Sequence, residues 1–335
     1  MLGVLAYRGE VRVPSLFSNA VASIRMGVED FRQQDPDRDI SAVRNFYAGV
    51  LLLAKEALIR AAPHADPALV IGAKLKPVPN GAGGIAMQQV GHTTVDFQQI
   101  GDRAKDFGVH IDHKALKALN TIRNDMEHHY TDESATAIRA AISKGFPVVA
   151  SLFRQMDEVP TELLGDAWTA MLETKELYDQ ELKEARATLE KVTWHSPSLD
   201  GATLQCCECK SELVEQTDPD NESQDSVELR CRTCGEFPVL ADVVEQVIDR
   251  TYGVEAYIRY KDACEEGPIY TCPACDRHTL VEAEDACANC NEPLDYSSEC
   301  SRCGNGISIQ DYLDGLDGGL CSYCSWQMEK IMRED

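Results

Sequence analysis

Six Cys-x-x-Cys pairs crowd the C-terminal part of this chain: Cys206/Cys209, Cys231/Cys234, Cys272/Cys275, Cys287/Cys290, Cys300/Cys303 and Cys321/Cys324. All fourteen cysteines lie after residue 205. Two residues between cysteines let one tight turn present both sulfurs to a single ion, and a second such turn across a hairpin completes a tetrahedron. Taken in order, the pairs enclose intervals of 21, 11 and 17 residues. That spacing predicts three structural zinc sites, each closed by four thiolates, with no position open for water or substrate. Short modules of this kind bury little core, so metal binding supplies much of their folding free energy. Sequential pairing is the first expectation; interleaved, cross-braced pairing of the last four pairs is the alternative. A disulfide framework does not suit a chain of 335 residues whose opening, MLGVLAYRGEVRVP, lacks the order of a secretory signal. A cytoplasmic protein is therefore expected. Cys207, inside CCEC, and Cys264 are left over and read as free thiols, and His278 reads as a surface histidine.

Charge narrows the role of this tail. The chain carries a formal −24; residues 201–335 hold 10 Lys and Arg against 29 Asp and Glu, a balance of −19, while residues 1–200 hold −5. Twelve thiolates on three divalent zinc ions would deepen the negative field of the tail. A phosphate backbone is repelled by such a surface. The tail is therefore expected to bind a protein partner and not to serve as a broad nucleic-acid platform.

The remainder reads as helix. Phe17, Val21, Ile24, Val28 and Phe31 recur at helical spacing. Asp39 and Ser41 are placed to cap the next helix, SAVRNFYAGVLLLAKEALIRAAP, which is apolar around so much of its circumference that it should be central and buried. Residues 64–93 are punctuated by proline, Asn80-Gly81 and Gly83-Gly84, as in a loop or short hairpin. Helical periodicity returns over 95–107, from Asp112 through Ile122, and from about Asp132 to Phe153 with a bend or break at Pro147. Residues 161–192, rich in Glu, Lys and Ala, read as a long helix running on as a spacer. The fold class expected is mainly α: a helical bundle over 1–158, a helix or spacer over 159–200, then small β-rich zinc ribbons over 201–265 (with a following helix), 266–297 and 298–335.

One stretch carries chemistry beyond metal binding. RNDMEHHY, Arg123 to Tyr130, packs a guanidinium, an amide, two acids, two imidazoles and a phenol into two helical turns. Arg123 and Tyr130 are seven apart and share a helix face, and Glu127 lies four after Arg123. Spacing alone is met by an Arg123–Glu127 surface ion pair fraying into a loop. TIRNDMEHHY also resembles the signature of the HEPN superfamily, Arg-polar-x3-His, through Arg123, Asn124 and His128. It is similar to the longer Arg-x4-His-x-Tyr form through Tyr130. The resemblance covers about residues 15–155, and His129 offers a second histidine one position on.

The resemblance implies an α-helical bundle that dimerises and brings two motifs into one cleft, and a metal-independent endoribonuclease of the toxin or phage-defence kind. RNA then supplies its own 2′-hydroxyl nucleophile. His128, or His129 in its place, would act as general acid or base, Arg123 would hold the phosphorane oxygens, and Asn124 would position the histidine or the phosphate. Tyr130 would line the RNA groove, accept a modification from a partner enzyme, or simply pack at the helix end. The partners expected are a second copy through the helical half, RNA if the chain is catalytic, and a protein on the acidic tail; no membrane is expected. The competing reading is a non-catalytic dimeric scaffold with zinc-ribbon adaptors. His64, His92, His110, His113 and His195 read as loop, capping or surface residues, and Gly81–Gly84 as a flexible turn.

Overall fold

The computed structural model describes residues 15–128, 133–263, 267–294, 299–313 and 319–334. It divides into two compact units, Met1–Glu181 and Leu182–Asp335. The fold is mainly α with small antiparallel strand pairs, and no described helix is long and apolar enough to cross a membrane.

The first unit holds α1 (Leu16–Arg32), α2 (Pro36–Ala61), α3 (Pro67–Ile71), a hairpin of β1 (Leu75–Pro79) and β2 (Ile85–Gln89), α4 (Phe97–Phe107), α5 (His113–His128), α6 (Ala135–Ser143), α7 (Phe146–Gln155), α8 (Pro160–Leu164) and α9 (Asp166–Leu172), and α10 (Lys175–Leu189) crosses the boundary between units. Local signals set the helix starts. Ser15 and Ser18 form a capping box on α1, as do Asp96 and Gln99 on α4. Asp35-Pro36 and Asp66-Pro67 place a capping carboxylate before a proline already bent for the first turn. Asp112 accepts from the backbone N–H groups of Lys114 and Ala115 at the start of α5.

The expected caps of α2, Asp39 and Ser41, lie inside the helix, which starts one turn earlier. Asp39 is buried and receives the Arg139 guanidinium at 3.0 Å; Ser41 donates to Asp30 at 2.5 Å. The long helix expected over 161–192 is also corrected. Gly165 at φ 55° separates α8 from α9, and a further turn separates α9 from α10. Trp168 and Leu164 are buried, so residues 160–172 belong to the bundle and not to a spacer. The break expected at Pro147 divides α6 from α7, with Pro147 inside the first turn of α7, where its missing N–H costs nothing.

The core is centred on α2, as expected from its apolar circumference. Phe46 meets Phe146 edge-on at 5.3 Å, and Phe31 meets Phe146 at 5.4 Å. Two glycines bring α1 and α2 together. A Cβ on Gly27 would lie 2.5 Å from the Phe46 backbone nitrogen, and one on Gly49 would lie 2.7 Å from the Ile24 nitrogen. Both neighbours are backbone and cannot yield. Gly49→Ala is therefore expected to destabilise the bundle by ~1–3 kcal/mol, the usual cost of overpacking, read as a lowered denaturation midpoint.

The second unit holds β3 (Val214–Gln216), β4 (Leu229–Cys231), α11 (Leu240–Ala263), β5 (Ile269–Tyr270), β6 (Leu280–Val281), β7 (Ala286–Cys287), α12 (Ile309–Leu313) and α13 (Ser322–Glu334). The first two cysteine modules share one core. Val214, Leu229 and Cys231 of the first, Val243, Val247 and Ile248 of α11, and Ile269, Val281 and Ala288 of the second form one buried cluster. Residues 218–228 help join the modules. Gln224 is buried and its amide donates to the carbonyls of Ala288 at 2.9 Å and Asn289 at 3.1 Å. The third module adds a small cluster of Cys300, Ile307, Cys321 and Cys324, and Ile309 of α12 packs into the second.

Candidate functional site

Three groups of four sulfurs converge: Cys206, Cys209, Cys231 and Cys234; Cys272, Cys275, Cys287 and Cys290; Cys300, Cys303, Cys321 and Cys324. Within each group the sulfurs all lie within 4.8 Å of one another. Pairing is sequential, so the cross-braced alternative is not what the fold builds. Sulfur–sulfur distances of 3.7 Å (Cys206–Cys234), 3.6 Å (Cys209–Cys231), 3.7 Å (Cys272–Cys290), 3.7 Å (Cys275–Cys287) and 3.7 Å (Cys303–Cys321) are far too long for disulfides. They match the edge of a tetrahedron whose metal–sulfur bonds are about 2.3 Å, an edge of ~3.8 Å.

The backbone explains how these sulfurs are aimed. In all six pairs the N–H four residues after the first cysteine returns to that cysteine's carbonyl, at 2.8–3.0 Å: Lys210 to Cys206, Gly235 to Cys231, Asp276 to Cys272, Asn291 to Cys287, Gly304 to Cys300 and, at the start of α13, Ser325 to Cys321. In the first five pairs that residue has φ between 56° and 81°, a left-handed bend that glycine, asparagine and aspartate enter most easily. The bend closes the turn around the ion. The sixth pair lacks the bend, since Cys324 sits in α13.

Chemistry also favours a cation at each centre. Burial and the neighbouring sulfurs push the Cys231 and Cys290 thiols upward, and burial takes Cys234 to about 11. At Cys206 burial is outweighed by backbone N–H groups of Cys209 and Glu208, which lower it. A divalent ion displaces such protons, and the buried Thr279 hydroxyl, 3.2 Å from the Cys287 sulfur, can donate to the resulting thiolate. The donor set fits a tetrahedral thiolate-bound metal, zinc or iron, with no coordination position left open.

Among the described residues, Cys207 and the histidines stay outside these centres. Cys207 accepts from the Gln246 amide at 2.9 Å, and Cys264 lies outside the described residues. His278 is exposed, as expected, while His195 is held by the Asn289 carbonyl at 3.3 Å. His113 is neither cap nor surface residue. Its ring packs on Phe97 at 4.8 Å, and its buried Nε2, which has no hydrogen-bond partner among the described residues, abuts Gly101.

Burial, helped by Lys105 and opposed by Asp102 and Asp112, lowers the His113 pKa. The unfolded chain therefore takes up this proton first as pH falls. The associated stability is complete above ~6.5, the ordinary histidine value, and declines below it. His113→Phe should flatten this loss, measured as the change in thermal midpoint between neutral and mildly acidic buffer.

The α5 motif is presented as follows. Arg123 is about one-third exposed; its guanidinium reaches Glu127 at 2.7 Å and donates to the Asn124 side-chain oxygen at 2.9 Å. It also lies over the Tyr47 ring, 5.5 Å from the centroid. Tyr47 donates from its hydroxyl to Asn120, one turn before Asn124. Burial raises that hydroxyl to about 12, with Arg123 opposing and Asp96 and Glu127 adding to the rise. His128 is the last residue of α5, and His129 and Tyr130 lie outside the described residues. Tyr47 and Asn120 carry no motif of their own, and their role emerges only when α2 packs on α5. Against protein-family models, curated proteins and solved structures, the chain matches none.

Proposed function

We propose that the helical unit is a metal-independent endoribonuclease of HEPN type, and that the three cysteine centres hold structural zinc. The observation that supports the first part is the seating of Arg123: a guanidinium about one-third exposed, carried on the Tyr47 ring and fixed by Asn124, five residues before His128 on the same helix. A phosphate diester would take the place of Glu127 on its fork. The RNA 2′-oxygen bonds to the adjacent phosphorus as the imidazole of His128 or His129 takes its proton. The bond to the 5′-oxygen breaks, and that oxygen is protonated by a second acid, such as the imidazole of another copy. The products are a 2′,3′-cyclic phosphate and a 5′-hydroxyl. Arg123 neutralises charge on the phosphorane, an interaction whose removal typically costs about 10²–10³ in rate.

The second reading, a non-catalytic scaffold, is favoured by the same Arg123–Glu127 pair, which an unreactive helix end would also make. The full-length protein, assayed on RNA with enough chelator to remove free metal but not the ribbon ions, separates the two. Cleavage leaving cyclic phosphate ends, lost in Arg123→Ala and in His128→Ala or His129→Ala with the helical content intact, supports the enzyme. Uncut RNA, or cutting that survives Arg123→Ala, leaves the scaffold.

A further inference from the structure

We propose that the β1–β2 hairpin is an arm that binds single-stranded RNA, with its lysine face on the phosphates and its apolar face under the bases. It rests on the ribonuclease reading only in giving that activity a substrate-holding element, and it is read by binding alone.

The first observation is electrostatic. From Pro67 to Val95 the chain has no carboxylate, although the whole protein carries −24. The acids bounding this stretch, Asp66 and Asp96, are spent as caps of α3 and α4. Lys74 and Lys76 lie within it, exposed. Arg103 and Lys55 hold its foot. Arg103 donates to the Gly72 carbonyl at 2.7 Å and also to that of Val70, and the Lys55 ammonium reaches the Thr94 hydroxyl at 3.0 Å. Among the described residues none of these four cations is in an ion pair with a carboxylate.

The second observation is the register. Lys76 stands opposite Gln88, Pro77 opposite Met87 and Pro79 opposite Ile85. Strand side chains alternate, so Lys76 shares one face with Gln88, Val78 and Ala86, and Lys74, one residue before β1 and still paired to Val90, continues that face, while Pro77, Pro79, Ile85 and Met87 share the other. Ile85 is 75% exposed and Met87 46% exposed, a large apolar surface for so short a ribbon. A single strand of RNA has the matching character, with phosphates along one edge and flat, apolar base faces along the other. A duplex hides its bases and offers only the first.

The third observation is placement. Tyr47 and Lys55 lie eight residues apart on α2, about 12 Å along the axis. Asp96 acts electrostatically on both. The chain at the foot of the hairpin is therefore tied, through Thr94 and Lys55, to a point on α2 two turns from the ring that carries Arg123, within the reach of a few nucleotides.

The test uses the full-length protein and a short fluorescent oligonucleotide with 2′-O-methyl groups, which cannot be cut because the nucleophile is blocked. Anisotropy should show Lys74→Glu/Lys76→Glu binding at least tenfold more weakly. Its log–log salt slope should be shallower by about 1.4, two phosphate contacts at roughly 0.7 each. Ile85→Asp/Met87→Asp should also weaken the single strand while leaving duplex affinity unchanged, with circular dichroism confirming the fold of each variant. The proposal is overturned if the lysine variant binds as wild type, if duplex and single strand bind equally, or if a polyglutamate peptide competes as well as RNA. Hairpin-dependent binding without any cleavage of ordinary RNA would sink the ribonuclease reading alone. Cleavage with hairpin-independent binding would sink this one alone.

Discussion

Cys231→Ser is expected to unfold the first and second cysteine modules together, not one alone. Cys231 is fully buried, its strand pairs with β3, and its sulfur lies 3.6 Å from that of Cys209. A serine oxygen is a harder, shorter donor and does not replace a thiolate on a soft tetrahedral ion. Metal binding in small modules of this type is worth ~10–16 kcal/mol, comparable to or larger than the whole stability of a domain. The loss should spread, because Cys231 belongs to the same buried cluster as Val247, Ile269 and Val281. The third module, with its separate cluster around Ile307, gives the contrast: Cys303→Ser should cost one metal equivalent and disturb chiefly its own residues. Elemental analysis with amide hydrogen exchange distinguishes these outcomes. Protection retained around Leu280 and Val281 in the Cys231→Ser protein would show that the modules are independent, contrary to the shared core.

That coupling was not legible in the sequence. The ligand groups were, since a pair separated by two residues can serve only one ion and short intervals bring neighbours together. The left-handed residue after each turn is partly visible as Gly235, Gly304, Asp276 and Asn291, whereas Lys210 at φ 61° gives no such sign. What merged two modules was the docking of α11 and the inward turn of Gln224, an ordinary glutamine in an acidic stretch. Its burial depends on two carbonyls more than sixty residues away. Spacing between cysteines says nothing about such contacts.

The helical half divides the same way. Periodicity located the helices because a buried stripe needs apolar residues at helical intervals. It failed over 161–192, where composition suited a continuous helix but Gly165 adopts a conformation that α-helix cannot continue through. In the α5 motif, the Arg123–Glu127 pair follows from spacing. The Tyr47 ring beneath the guanidinium does not, since it is 76 residues distant in sequence and set by helix packing. Asp39 shows most clearly how local and tertiary signals compete: an aspartate near a helix start looks like a cap, yet this one faces inward because a cation is waiting.

That cation makes Arg139→Met the most damaging single change expected in the bundle. Arg139 donates to the Asp39 carboxylate at 3.0 Å and to the Phe31 carbonyl at 2.7 Å, and stacks over the Phe31 ring at 4.0 Å. One side chain on α6 thus ties the end of α1 to the start of α2. Methionine keeps much of the apolar stem but strands a carboxylate that is only 3% exposed. Removing one member of a buried pair typically costs ~3–5 kcal/mol, a large share of the ~5–15 kcal/mol that holds a domain together. Asp39→Asn/Arg139→Met should recover part of the loss, because a neutral amide is cheaper to bury than an orphaned charge. Chemical denaturation of the two single variants and the double would give the coupling directly. A coupling near zero would mean that the penalty comes from the lost Phe31 contacts and not from Asp39.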